Sequence, residues 1–399
     1  MKISAAVCEY NPYHNGHKYL TDYARSHGFD YFIGIMSGSV VQRGEFAIAD
    51  KFTRAQAAVS GGVDMIIELP CIYSLSSAER FAYGAVATLD LCGCIDTLFF
   101  GAECENITLL SEAAKAASAK AAEDRIRELS ANGYSHPRAL CEAVRELSGD
   151  EIAEVLSKPN NTLAIEYIKA LNVLRSDVKP SAVLRQGADH DCGEPKGSFA
   201  SASLIREMIR SGDDSYKLYI PEKVSEIIYR TTQKKECPVT VKNNDRGFLQ
   251  ALRRLSKSEW ECVPGVGEGL ENRLYGAVRE CLSFDEIMDK VKCKRYTYAR
   301  ISRILLCAYL GITKEIIKTE PQYIRVLAMN KRGAEVLSEI SRHARVPVIT
   351  SPAKDISKLD SEGRKLFELE CLATDMYTLF MPDIKECGRD YKSKLITEG

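Results

Sequence analysis

A doubly wound parallel α/β sheet, followed by a mainly helical region and a small terminal α/β segment, is the fold class this sequence predicts. Three observations predict it. Short, almost wholly apolar runs recur through the first third of the chain, as strands covered on both faces require. Stretches with helical spacing separate them, and strand–helix–strand alternation calls for parallel strands joined by crossover helices. Beyond about residue 231 the pattern turns almost entirely helical.

Taken in order, Lys2–Cys8 reads as a buried first strand and His17–Ser26 as a helix. Tyr31–Met36 is the second strand, Asp50–Ser60 a helix with an Ala-rich face, and Asp64–Leu69 the third strand. A helix over Ala78–Leu91 leads to a strand at Thr97–Phe100. Residues 107–149 are rich in Ala, Glu and Arg and read as an inserted or outer helical layer. Ala182–Leu184 is a further strand, Ser203–Ser211 a helix and Gly212–Ser215 a polar break. Phe248–Leu255, Leu270–Leu282 and Arg300–Leu310 are helical, and Tyr323–Ala328 and Val346–Ile349 are strand-like. The expected division is 1–230 as a catalytic domain with 107–150 as a helical insertion, 231–320 as a basic helical domain, and 321–399 as a small α/β appendage.

With 45% apolar and 27% charged residues, the chain has the composition of a folded globular protein, which excludes a largely disordered one. Its net charge of −1 hides an asymmetry. Residues 1–230 carry 24 Lys+Arg against 31 Asp+Glu, a net −7; residues 231–320 carry 17 against 12, a net +5. An acidic body therefore bears a basic segment, so the near-zero total does not exclude nucleic acid. The 14 cysteines are scattered, without a CxxC pair or a metal-ligand spacing, and no apolar run is long enough to span a bilayer. Reduced thiols, a cytoplasmic location, no membrane partner and no protein-bound metal are the expectation.

The most informative stretch is Glu9-Tyr-Asn-Pro-Tyr-His14-Asn-Gly-His17, between the first strand and the first helix. Two imidazoles at a helix N-terminus lie where free N–H groups and the helix dipole favour anions, and Gly16 lets a phosphate approach the backbone. Ring N–H groups there can stabilise the transition state of adenylyl transfer at an α-phosphate. The pair could also be half a zinc site, or two histidines serving only the loop. His14 and His17 are the candidate catalytic residues. Ser201-Ala-Ser203-Leu-Ile-Arg206 opens a second helix, where a hydroxyl can cap and Arg206 can meet the β/γ-phosphates. Together the two motifs resemble the nucleotidyltransferase superfamily with its Rossmann-like sheet.

The resemblance extends further along the chain. Glu9–His17, Met36-Ser-Gly-Ser-Val-Val-Gln-Arg-Gly-Glu45, Asp50-Lys-Phe-Thr-Arg54, Asp64-Met-Ile-Ile-Glu-Leu-Pro70 and Phe99-Phe-Gly-Ala-Glu103 are similar to blocks of the tRNA(Met) cytidine acetate ligase family. Pro159-Asn-Asn-Thr-Leu-Ala-Ile-Glu-Tyr167, Glu268–Asn272 and Lys294-Arg-Tyr-Thr297 continue the series. The resemblance implies that ATP and acetate form acetyl-adenylate, and that the acetyl group passes to N4 of the wobble cytidine of elongator tRNA(Met). It implies Mg²⁺ with the ATP, and no use of acetyl-CoA. It places ATP against Val7, Cys8, Glu9, Tyr10, Asn11, His14, Asn15, Gly16, His17 and Leu20, with Gly101, Asn161 and Arg185; Ser203 and Arg206 join from the second motif. Two departures are Tyr13 in place of the commoner Phe, and Thr162-Leu-Ala164 in place of Ile-Leu-Gly.

Ser37, Gln42, Arg43, Asp50, Lys51 and Arg54 form a polar cluster after the second strand, a candidate acetate or cytidine pocket if it is not simply a solvated loop. Lys292-Cys-Lys-Arg-Tyr-Thr-Tyr-Ala-Arg-Ile-Ser-Arg303 carries five cations in twelve residues and no acid. Lys292, Lys294, Arg295, Arg300 and Arg303 suit RNA phosphates and Tyr296 suits base stacking, the alternative being a solvated helical face. Pro264-Gly-Val-Gly is a further phosphate candidate or a plain interhelical turn. A small-molecule adenylyltransferase, or a non-catalytic RNA-binding protein on the same fold, stays open at this point.

Overall fold

The computed structural model describes residues 1–134, 136–185, 195, 197–293 and 296–398. Ten strands are named here: β1 Ile3–Cys8, β2 Tyr31–Ser37, β3 Val40–Val41, β4 Glu45–Phe46, β5 Met65–Leu69, β6 Thr97–Ala102, β7 Lys179–Leu184, β8 Ile324–Asn330, β9 Val348–Ile349 and β10 Ile396–Glu398. The central sheet runs β10-β8-β5-β2-β1-β6-β7, with β9 on β8, while β3 and β4 form a separate hairpin. From β5 to β7 every pairing is parallel. Alternate residues feed opposite faces. Ile33 and Ile35 enter the core on one side, and Phe32 and Met36 enter the core on the other. Both faces are thus covered, which is why the strands read as unbroken apolar runs.

The chain winds outward from β1 through β2 to β5, then returns to the other side of β1 as β6. The winding direction reverses between β1 and β6. In open α/β sheets ligands bind at such a switch point, outside the carboxyl ends of the strands. Helix α1, Asn15–Ser26, follows β1 after a six-residue loop that leaves the carboxyl end of that strand.

The terminal segment is more than an appendage. β8 inserts antiparallel beside β5, pairing Met65 with Met329 and Ile66 with Ala328, and β10 pairs with β8. A buried ionic network fastens it. Lys51 Nζ, at the start of helix α2 (Lys51–Ser60), lies 2.7 Å from both Glu68 and Asp390, and Arg325 on β8 bonds the same two carboxylates. The helices of 245–310 pack as well into the core shared with the sheet: Phe248 stacks on Tyr309 at 4.9 Å, and Tyr309 meets Phe46 of β4 edge-on. The described cysteines are all free thiols. Among the described residues, no helix is long and apolar enough to cross a membrane, and no group of three or more His, Cys, Asp or Glu is placed to hold a metal ion.

Candidate active site

The site is built from the end of β1. The chain leaves the strand through Tyr10, at φ 41°, and a cis Asn11–Pro12 peptide, then caps α1 with His14. The His14 Nδ1 accepts the Gly16 N–H at 3.1 Å, and the His17 Nδ1 accepts the His14 N–H at 3.1 Å. Backbone donors therefore occupy both Nδ1 atoms, which assigns the ring proton of each neutral imidazole to Nε2. The rings stack at 3.7 Å, and His17 packs edge-on to Tyr10 at 4.9 Å. Tyr13, fully buried, backs His17 and donates from its hydroxyl to the Gly61 carbonyl.

Protonation of either ring is disfavoured. Burial, reinforced by Arg185 and Arg206, lowers the His14 pKa to about 3; burial together with His14 and Arg185 holds His17 well below its usual range. At neutral pH the pair is a set of two uncharged Nε2–H donors with fixed orientation. Such donors can bind a phosphate oxygen and stabilise the charge that develops on it. Gly16 has a use beyond phosphate approach: a Cβ there would sit 2.9 Å from His14 Cε1, so only glycine lets the capping ring fold over the first turn. Asn15 Nδ2 donates to the Ser198 and Leu218 carbonyls, tying α1 to the segment that carries the second motif.

Gly101 lies within β6, paired with Val183, and is not a turn. A Cβ on it would meet Arg185 Cγ at 3.1 Å, so the arginine crosses the bare strand. Arg185 thus comes within electrostatic reach of both imidazoles, while Glu103 is the charge that acts on Arg185. Sequence reasoning gave Glu103 no role of its own; its signals were its place just past the strand end and at the close of the Phe99–Glu103 block.

Other expected site residues have partners within the fold. Asn161 is fully buried: its Oδ1 accepts the Glu103 and Cys104 N–H groups, and its Nδ2 donates to the Val155 carbonyl. It shapes the loop after β6 from within. Arg206 turns inward, donating to the Asn11 carbonyl at 3.0 Å and to Ser203 Oγ at 3.2 Å, because its helix packs against the β1–α1 loop; Ser201 is the cap. Cys8 donates weakly to the Ile35 carbonyl and is buried in the core on one face of the sheet, where half-buried Leu20 packs, while half-buried Val7 packs against the core on the other face.

In the polar cluster after β2, Asp50, Lys51 and Arg54 are engaged by the protein itself, while the buried Ser37 Oγ has no hydrogen-bond partner among the described residues. Asp50 caps α2 by accepting the Phe52 and Thr53 N–H groups. Lys51 is locked in the ionic network. Arg54, 1% exposed, donates to the carbonyls of Glu9, Ser37, Gly38 and Ala49. Buried charges need such partners, so these three are architecture. Ser37 is buried, Gln42 donates its N–H to Glu9, and Arg43 alone of the six stands exposed.

In the basic segment, Lys294 and Arg295 lie outside the described residues. Lys292 is exposed. Tyr296 is buried, with the Arg300 guanidinium 5.1 Å from its ring, so Tyr298, 41% exposed, is the ring available for stacking. Arg300 is exposed and donates to the Gly265 carbonyl of the Pro-Gly turn. Arg303 is half-buried, bonded to Gln42.

A doubly wound sheet with paired, oriented imidazoles at its switch point defines the HIGH nucleotidyl transferases, and the family model described as HIGH Nucleotidyl Transferase matches residues 1–392. A tRNA(Met) cytidine acetate ligase of Thermoanaerobacter sp. (strain X514) is 38% identical over 403 residues, covering 99% of this chain and all of the relative. That of Kosmotoga olearia is 34% identical over 423 residues, at 99% of each chain. Thermotoga maritima TmcAL bound with alpha-thio ATP superposes with a TM-score of 0.92 at 32% identity, over 100% of this chain and 99% of that one. The chain belongs to the tRNA(Met) cytidine acetate ligase family.

Proposed function

We infer that this protein is an ATP-dependent ligase that activates acetate and acetylates elongator tRNA(Met). An acetate oxygen attacks the α-phosphorus of ATP, the bond to the bridging oxygen breaks, and pyrophosphate leaves with that electron pair. The N4 amine of the wobble cytidine then attacks the acetyl carbon, loses a proton and displaces AMP. The observation that carries this reading is the pair of neutral Nε2–H donors at the start of α1. They are suited to the pentacoordinate α-phosphate, a role of transition-state stabilisation, not nucleophilic attack. Arg185 would meet the triphosphate. Mg²⁺ would arrive on ATP as part of the substrate, and the reading needs no acetyl-CoA. The alpha-thio ATP held by the Thermotoga maritima relative supports ATP as ligand.

RNA would lie on the 231–320 face, against Lys292, Tyr298 and Arg300. Such a substrate assigns the enzyme to the cytoplasm. The test is incubation with radiolabelled acetate and ATP, with and without unmodified tRNA(Met). ATP-dependent label in the tRNA, lost in His14→Ala, supports the reading. Pyrophosphate exchange with another acceptor and unlabelled tRNA would replace it with a small-molecule adenylyltransferase; RNA binding without ATP turnover would make the protein non-catalytic.

A further inference from the structure

The helix Tyr298–Leu310 carries its exposed residues at one end and, one turn on, holds the tip of the β3–β4 hairpin. The β3–β4 hairpin supplies the link. Its base is buried through Val40, Val41 and Phe46, and its tip is Gln42-Arg43-Gly44. The tip rests on the helix backbone: Gly44 has φ 81°, and a Cβ there would lie 2.4 Å from the Arg303 N. Ser302 Oγ donates to the Gly44 carbonyl, and Arg303 Nη1 donates to the Gln42 carbonyl at 3.0 Å. The other side of the same residue faces the crevice, where the Gln42 N–H donates to the Glu9 carboxylate at 2.8 Å. Glu9 lies in the loop that ends in His14, in the electrostatic field of Arg206, Arg43 and Arg54.

One residue, Gln42, therefore holds Glu9 with its N–H and is held by Arg303 through its C=O. We propose that Arg303 is a positioning residue for the ATP site: by fixing Gln42 it sets the Glu9 carboxylate, and with it the cations that Glu9 orders around the β1–α1 loop. This rests on the reading of that loop as the ATP site. It removes Arg303 from the RNA-contacting set in which its sequence neighbours place it. It also makes the helix that carries Tyr298 and Arg300 a physical connection between the RNA face and the crevice, so affinities at the two must be reciprocally linked if RNA shifts the helix.

The test measures Mg-ATP affinity by calorimetry, and affinity for an unmodified tRNA(Met) transcript by filter binding, on the full chain. Arg303→Ala should weaken ATP about tenfold and tRNA less than twofold. Arg303→Lys, which can still reach the Gln42 carbonyl, should recover most of the ATP affinity. The double variant with Glu9→Gln should bind ATP no more weakly than Glu9→Gln alone, because both changes break one chain of contacts. Loss of tRNA affinity with ATP affinity intact would make Arg303 an RNA contact and overturn the proposal. Additive losses in the double variant, or no rescue by lysine, would overturn it in favour of a general packing role. If the wild-type chain fails to bind ATP, the function reading itself falls; if only the variant pattern fails, that reading stands.

Discussion

Two polar stretches follow neighbouring strands, and in the sequence they look alike. After β1 comes His14-Asn-Gly-His17; after β2 comes Ser37 to Arg54, equally rich in charge and hydroxyls. Their hydrogen bonds separate them. Arg54, Lys51 and Asp50 direct their polar groups at carbonyls, carboxylates and helix N–H groups of the protein. Among the described residues, the histidines are bonded through their Nδ1 atoms, which leaves Nε2–H for something else. A polar group wholly engaged by its own chain is architecture, and one engaged on a single side is a candidate for chemistry.

The largest break in that contrast should come from Arg54→Ala. It strands four backbone carbonyls in the interior, and chemical denaturation should show a loss of about 3–5 kcal/mol. A loss under 1 kcal/mol would mean that the cluster is not structural. Next is His14→Asn, which keeps a good helix cap but lacks the Nε2–H donor. Acetate-dependent pyrophosphate exchange should fall roughly 10²-fold, about 2.7 kcal/mol, with the melting temperature nearly unchanged. An equal fall in stability would make the ring a cap and nothing more.

A smaller effect sits at Glu370, a buried carboxyl beside the ionic network that accepts the Cys71 N–H. Burial beside Glu68 raises the Glu370 pKa from 4.5 to about 7. The folded chain therefore holds a proton that the unfolded chain has lost, and stability from this group falls as pH rises from 4.5 to 7. Glu370→Gln should stabilise the protein by about 1–3 kcal/mol at pH 8 and by much less at pH 5, read by thermal melts. The histidines act in the opposite direction: lowered pKa values leave the native state short of protons below 6.5, so they weaken the fold as pH drops through that value. The smallest effect belongs to Arg300→Ala, expected to reduce the salt slope of tRNA binding by about 1 and to leave ATP binding alone.

Much of this was legible beforehand, for local reasons. β1, β2, β5 and β6 are short runs dominated by apolar residues, and His14, Gly16 and His17 lie within four residues. What was not legible depends on partners far along the chain. Lys51 looked like a ligand-binding cation because Asp390, which neutralises it, is 339 positions away, and Arg54 because backbone carbonyls have no sequence signature. That Asn161 ties down the loop after β6 through the Glu103 and Cys104 N–H groups has no local sequence signature either. Residues 321–399 read as an appendage because β8 joins the sheet against the direction of its neighbour β5, a pairing that periodicity within one segment does not reveal.

The account turns on two neutral rings that present Nε2–H to the crevice. With only six histidines in the chain, ¹⁵N-labelled imidazoles can be followed individually by NMR as pH and Mg-ATP are varied. His14 and His17 should remain neutral, protonated on Nε2, through pH 5, and both resonances should shift when Mg-ATP binds. Titration of either ring near 6.5, protonation on Nδ1, or indifference of both rings to saturating ATP would contradict it.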